Sequence, residues 1–156
     1  YRFDFEAFKQ FLRKNIMDIQ IATLCDFAAD YNGKMVINGT FDTLAAPQMP
    51  VVHPQCCLAI RLCITPEDTG DHKFSVNIID ADGNSLDDKM PIEADMPISL
   101  PDSVPFMTRN LILNLQGLQF PEDGVYSIDI SIDEELVTRI PLRIVEVDQN
   151  AQQPTA

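Results

Sequence analysis

With 156 residues and 46% hydrophobic content, the chain is about one domain and can bury roughly two-thirds of the surface its unfolded form exposes, so folding needs no metal or disulfide. Eleven Lys and Arg against 24 Asp and Glu give a net charge of −13, which repels phosphate backbones and anionic lipid and argues against nucleic-acid or membrane partners. No stretch approaches the roughly 18 apolar residues of a membrane span, and the N-terminus lacks the apolar block and cleavage site of a secretory signal, so a cytoplasmic protein is expected.

The charge is unevenly placed. Residues 1–16 carry Arg2, Lys9, Arg13 and Lys14 against Asp4 and Glu6, a net of +2, which leaves −15 for the remainder. Tyr1, Phe5, Phe8 and Leu12 recur at intervals of four, three and four, with Phe3 and Phe11 on the flanks, so residues 1–16 read as an amphipathic helix. Such a stripe packs on the body or caps a sheet edge; the sharper reading is that Tyr1, Phe5, Phe8 and Leu12 contact a protein partner. Met17-Asp18-Ile19 then reads as the start of a self-contained domain over residues 17–148.

Strand signals follow in order. Ile19, Ile21, Thr23 and Cys25 alternate with their neighbours as a first strand. Asn32-Gly33 accepts the positive backbone angles of a tight hairpin turn, after which Met35 to Phe41 returns as a second strand, with Gly39 marking a bulge or a close backbone approach. Pro47, Pro50 and Pro54 mark residues 45–54 as an edge or crossing loop, because proline cannot donate to a central ladder. Leu58 to Ile64 and Phe74 to Ile78 are the next strands, separated by an exposed loop over Pro66 to Asp71. The prolines between Leu86 and Pro105 allow only short edge pairing. Leu111, Leu113 and Leu115 alternate in a further strand that Gly117 is expected to end.

Pro121 to Ile132 is the most informative stretch. An acidic turn, Gly124 and Tyr126 lead into Ile128, Ile130 and Ile132 facing inward, with Ser127, Asp129 and Ser131 facing outward. Ile140, Leu142 and Ile144 complete the final hairpin, and residues 149–156, lacking any aliphatic anchor beyond alanine, read as a disordered tail. Glu122-x-Gly124-x-Tyr126 resembles the tyrosine corner of immunoglobulin-like domains, although Ile128 stands where such domains often carry a cysteine, so the usual inter-sheet disulfide is absent. The expected fold is all-β: an antiparallel immunoglobulin-like sandwich of about seven or eight strands with one N-terminal amphipathic helix.

The order Ile21-Ala22-Thr23-Leu24-Cys25-Asp26, Asn32-Gly33-Lys34, Asn38-Gly39-Thr40-Phe41-Asp42, His53-Pro54 and Asp80-Ala81-Asp82-Gly83 continues with Asn114-Leu115-Gln116-Gly117-Leu118, Gly124-Val125-Tyr126 and Ile140-Pro141-Leu142. Taken together over about residues 18–147, these segments resemble a family of small uncharacterised bacterial proteins known as a domain of unknown function. The resemblance implies a small bacterial β-sandwich and transfers no catalytic residues.

Candidate chemistry is sparse. His53-Pro54-Gln55-Cys56-Cys57 carries possible zinc ligands, but adjacent cysteines on a strand point to opposite faces and no Cys-x-x-Cys accompanies them, so no metal is expected. A Cys-His nucleophilic pair would need His53 or His72 to meet a thiol, while both histidines lie in or beside expected loops and the thiols fall in core-like strands, where burial dulls reactivity. The oxygen-rich loop of Asp80, Asp82, Asn84, Asp87 and Asp88 could take calcium, yet it lacks the ordered spacing with a distal glutamate and reads as a solvated turn. Glu134 and Glu135 likewise sit at a turn rather than in a cleft that separates pKa values. Asn110 and Asn114, with Asn77 on a neighbouring strand, could form an amide row for a peptide or carbohydrate, or an ordinary wet sheet face. The expected role is a non-enzymatic cytoplasmic interaction or accessory module without a cofactor, binding a protein partner or itself. The alternative is a small-ligand or carbohydrate binding module.

Overall fold

The computed structural model describes residues 17–148, so the helix expected over residues 1–16 and the tail over 149–156 lie outside the described residues. Among the described residues there are nine strands: β1 (Asp18–Tyr31), β2 (Lys34–Thr40), β3 (Thr43–Ala46), β4 (Val51–Ile64), β5 (Gly70–Ile79), β6 (Ile92–Ile98), β7 (Met107–Phe120), β8 (Gly124–Ile132) and β9 (Glu135–Glu146). They form two sheets in the orders β2-β1-β4-β7 and β3-β9-β8-β5-β6. Every pairing is antiparallel except β3 with β9, which is parallel.

The core between the sheets is filled by the alternate residues of each strand. Leu58, Ile60, Leu62 and Ile64 from β4 meet Val76 and Ile78 from β5, Ile128, Ile130 and Ile132 from β8, and Leu142 and Ile144 from β9, all essentially without solvent exposure. Fully burying one such side chain stabilises by about 1.5–3 kcal/mol, so this alternation is the main stabilising term of the fold. Leu111 and Leu113 pack on the same core from β7 but stay half-buried, because β7 is an edge with a neighbour on one side only.

Tyr126 closes one end of the core. Its phenol donates to the Glu122 carbonyl at 2.9 Å, and its ring lies edge-on to Phe120 with centroids 5.1 Å apart. The bond reaches back four residues, the corner expected from Glu122-x-Gly124-x-Tyr126. Tyr126→Phe should cost about 1 kcal/mol in denaturant-derived stability, because one neutral hydrogen bond is lost while the ring packing is retained.

Several boundaries differ from the sequence expectation, each for a reason. β3 and β6 raise the strand number to nine, and both are sheet edges, where Pro97 of β6 needs no second ladder. β4 begins at Val51 and runs through Pro54, a residue expected in a loop. β1 pairs with β4 only as far as Cys25 opposite Cys57, so beyond that point β7 is the sole partner of β4 and the missing amide hydrogen of Pro54 breaks no second ladder. Gly117 does not end its strand: with φ +63° it makes an irregular step near Pro54, and β7 continues to Phe120.

β1 serves two structures in succession. Its first half, Asp18–Cys25, pairs with β4 inside the sandwich, and its second half, Cys25–Tyr31, pairs with β2. At Asp26 and Gly39 this β1–β2 hairpin folds back over the outer face of its own sheet. The Gly33 carbonyl at the hairpin tip accepts from Arg61 Nη1 at 3.3 Å, and Asn110 Nδ2 donates to Asp30 Oδ2 at 2.6 Å, so the tip reaches back to β4 near its end and to β7 near its start. Gly39 permits the bend: its φ is +70°, and a Cβ there would sit 2.4 Å from Asp26 Oδ2. The close approach read from Gly39 is therefore with the Asp26 carboxylate.

Candidate functional site: the folded-back hairpin and its two faces

The inner face of the arm makes a second, smaller core. Ala28, Met35 and Ile37 lie on Cys25, Cys57 and Ala59, with Ile112 of β7 at the margin. Small residues on β4 matter here, since Ala59 and Cys57 leave room for a third layer where larger side chains would hold it off. Cys56 belongs to the main core and Cys57 to this outer one, so the two adjacent thiols do face opposite ways, yet both are buried. Burial pushes the Cys25 and Cys63 thiols up and the Cys56 thiol up to about 11, which leaves them protonated and poorly nucleophilic.

Polar bonds fix the tip. Arg61 donates to Gln20 Oε1 at 3.2 Å, Asn110 Oδ1 at 2.7 Å, Thr108 Oγ1 at 2.9 Å and the Gly33 carbonyl, while Asn110 passes its own amide hydrogens to Asp30 and Gly33. The Asn110 amide and the Gly33 turn amide hold the Asp30 carboxyl below its ordinary value. Arg61→Ala should loosen the tip at a cost of about 1.5–3 kcal/mol, the range for hydrogen bonds to a charged group, read as lost amide-exchange protection over residues 26–40 with the core strands unchanged.

The outer face of the arm is apolar and open. Phe27 is 55% exposed, Tyr31 68% and Val36 47%. Alternation puts Phe27, Ala29 and Tyr31 on one face of β1, and Val36 stands opposite Ala29 in the register, so the exposed large side chains share one surface. β2 is a sheet edge, with one side of its backbone unpaired among the described residues. An exposed aromatic patch beside an open strand edge is the chemistry of a docking surface.

The other sequence candidates fall elsewhere. Tyr1, Phe5, Phe8 and Leu12 lie outside the described residues. Asn77 sits on β5 in the opposite sheet, so the proposed amide row with Asn110 and Asn114 does not exist; Asn110 holds the arm, and Asn114 accepts from the Cys57 thiol at 3.1 Å. The row fails because β5 and β7 share a core rather than a sheet. His53 packs against Phe41 with tilted rings whose centroids are 5.6 Å apart, and His72 bonds Asp133 and the Asp68 carbonyl, so neither histidine bonds a thiol among the described residues. Asp80 turns its carboxylate onto its own loop, taking the amides of Asp82 and Asn84 at 2.9 Å each, and no cluster of three or more metal-binding side chains occurs among the described residues. With Asp82, Glu122 and Asp123 it lines an acidic cleft of about 340 Å³ beside Tyr126.

The arm was missed because its signal is indirect. Alternation marks Phe27, Tyr31 and Val36 as one face of a strand, but which face meets the body depends on the bend at Asp26.

No helix among the described residues is long and apolar enough to cross a membrane. No curated protein and no solved structure matches the chain. Residues 20–145, from the first sandwich strand to the last and including the arm, match a family of unknown function, and the chain belongs to that family, DUF6941.

Proposed function

We propose that the protein is a non-enzymatic, cytoplasmic interaction module of immunoglobulin-like type that holds a protein partner on the outer face and free edge of the β1–β2 arm. The observation that carries the reading is the exposed surface of Phe27, Tyr31 and Val36 on a hairpin that is itself anchored by Arg61 and Asn110. A pre-ordered aromatic surface binds with little loss of conformational freedom. The immunoglobulin-like reading is supported by strand order: β1-β4-β7 facing β9-β8-β5-β6 matches the A-B-E and G-F-C-C′ order of that architecture, with β3 running beside β9 and no D strand among the described residues. The net charge of −13 selects the partner's chemistry, a basic protein segment with an apolar stripe that adds to β2.

The test uses the full chain, the Phe27→Asp/Tyr31→Asp variant, and a form lacking residues 1–16. A captured partner, identified and then purified, should bind the full chain more tightly as salt is lowered and lose at least about tenfold in affinity, about 1.4 kcal/mol, against the double variant. Equal binding by the double variant, with loss on removal of residues 1–16, would move the site to Tyr1, Phe5, Phe8 and Leu12. Concentration-dependent dimerisation that the double variant abolishes would replace the foreign partner with a second copy. The competing small-ligand or carbohydrate reading draws on the acidic cleft beside Tyr126 and predicts ligand binding that both changes leave intact.

A further inference from the structure

His72 lies on β5 with both ring nitrogens directed at acceptors. Nδ1 is 2.6 Å from Asp133 Oδ2, and Nε2 is 2.8 Å from the Asp68 backbone carbonyl. A carbonyl only accepts, so Nε2 must carry a hydrogen, and an ionised carboxylate only accepts, so Nδ1 must carry one as well. The geometry therefore asks for one proton more than a neutral imidazole holds.

The two residues that supply these acceptors make further bonds through their carboxylates. Asp133 takes the Lys73 amide on Oδ1 at 2.8 Å. Asp68 takes the Met17 amide on Oδ1 at 3.2 Å and the Thr65 amide and hydroxyl on Oδ2 at 2.7 and 3.0 Å. The ring thus joins the β8–β9 turn to the short 3-10 helix Pro66–Asp68 directly, and reaches the residue before β1 through the Asp68 carboxylate.

Left-handed backbone collects at the same place. Four non-glycine residues among those described have left-handed φ, and three of them touch or flank this network: Met17 at 53°, Asp133 at 51° and Glu134 at 68°. Asp133 and Glu134 are the two central residues of the tight β8–β9 turn, where left-handed backbone is the ordinary geometry, so it is at Met17, bonded through its amide to Asp68, that tertiary contacts hold the conformation.

We propose that protonated His72 is an ionic latch that holds the start of β1, the 3-10 helix and the β8–β9 turn together, and that loss of its proton releases all three. The charged groups around the ring are Asp133 from the turn, Asp68 from the 3-10 helix, Asp71 and Lys73 on β5 itself, and Asp95 on β6. All but Lys73 are acidic, and all but Lys73 favour the imidazolium. Burial alone would lower the His72 pKa, but the bonds to Asp133 and the Asp68 carbonyl outweigh it and hold the group above its ordinary value. The Lys73 amide, and then His72, hold the Asp133 carboxyl below its own.

The sign follows from these two directions. A raised histidine contributes stability that is complete below its unfolded pKa and is lost as pH rises through the folded one. A depressed carboxylate contributes stability present above its unfolded pKa and lost as pH falls through the folded one. The latch is therefore closed while His72 is charged and Asp133 ionised, and it opens as pH rises through the folded His72 value or falls through the folded Asp133 value.

Long-range proton–nitrogen NMR of the full chain tests this, with the His53→Gln variant assigning the rings. At pH 7 both His72 nitrogens should carry hydrogens, and the Met17, Lys73 and Asp133 amides should shift with the same alkaline midpoint as the ring. Asp133→Asn should move that midpoint down, and His72→Gln should remove the alkaline transition from all three amides while the Tyr126 region stays unchanged. A neutral His72 with one ring hydrogen at pH 7 overturns the proposal. So does a midpoint unmoved by Asp133→Asn, or amides that titrate independently of the ring.

Discussion

Ala28→Asp should lift the arm off the sandwich and make Cys25 and Cys57 react with a thiol reagent about thirtyfold faster, the effect of roughly 2 kcal/mol in the opening equilibrium. Ala28 is 7% exposed and packs in the small cluster with Cys25, Cys57 and Ala59. The cluster's side chains are apolar, and a buried carboxylate that finds no partner among them costs several kcal/mol. The protein has a cheaper response than burying the charge, since the arm can peel away from β4 and leave the main core intact. The cost is then capped at what docking the arm contributes, which is why the larger desolvation figure should not be observed. Cys56, in the main core, serves as the control and should stay unreactive. If all the buried thiols react together, the variant has unfolded globally and the arm is not a separable layer; if Cys25 and Cys57 do not speed up, it is held more tightly than its contacts imply.

Phe120→Ala should remove about 3–5 kcal/mol of folding stability, the usual penalty for emptying a buried aromatic site. Phe120 has no solvent exposure, ends β7 opposite Val51, and supports the edge of the Tyr126 ring. Neither neighbour can collapse into the vacancy easily, because Tyr126 is tied to the Glu122 carbonyl and Val51 begins a paired strand. Urea unfolding of Phe120→Ala, Tyr126→Phe and the double variant checks both size and coupling. The pair should be less than additive, since the corner bond loses value once the ring beneath it is gone. Strict additivity would mean that ring contact and phenol bond act independently.

The sandwich was legible residue by residue wherever one face of a strand meets the core and the other meets water. Ile128, Ile130 and Ile132 are buried between half-exposed Ser127, Asp129 and Ser131, as their alternation requires. Tyr126 makes its corner bond because Gly124 and the acidic turn place it four residues beyond the carbonyl it needs. Asn32 and Gly33 take φ of 51° and 78°, the tight turn their side chains favour. Pro54 misled because it is a breaker only where a second strand lies alongside, and Gly117 because its left-handed step falls opposite Pro54 and is absorbed in the β4–β7 pairing; neither circumstance is a local property.

The candidate site was much less legible. Phe27, Tyr31 and Val36 look like any strand face until the bend at Asp26 and Gly39 decides that Ala28, Met35 and Ile37 go down and these stay up. His72 and Asp133 stand 61 residues apart, and the latch exists only because β5 and β8 pair in one register. Local chain physics thus settled which segments extend, which side of each is apolar and where the tight turn at Asn32 falls, since these depend on residues a few positions apart. Tertiary structure alone decided that a strand leaves its sheet halfway, that a hairpin becomes a third layer, and that a lone histidine meets two acceptors. Those outcomes rest on contacts between distant segments, whose energies no run of neighbouring residues encodes.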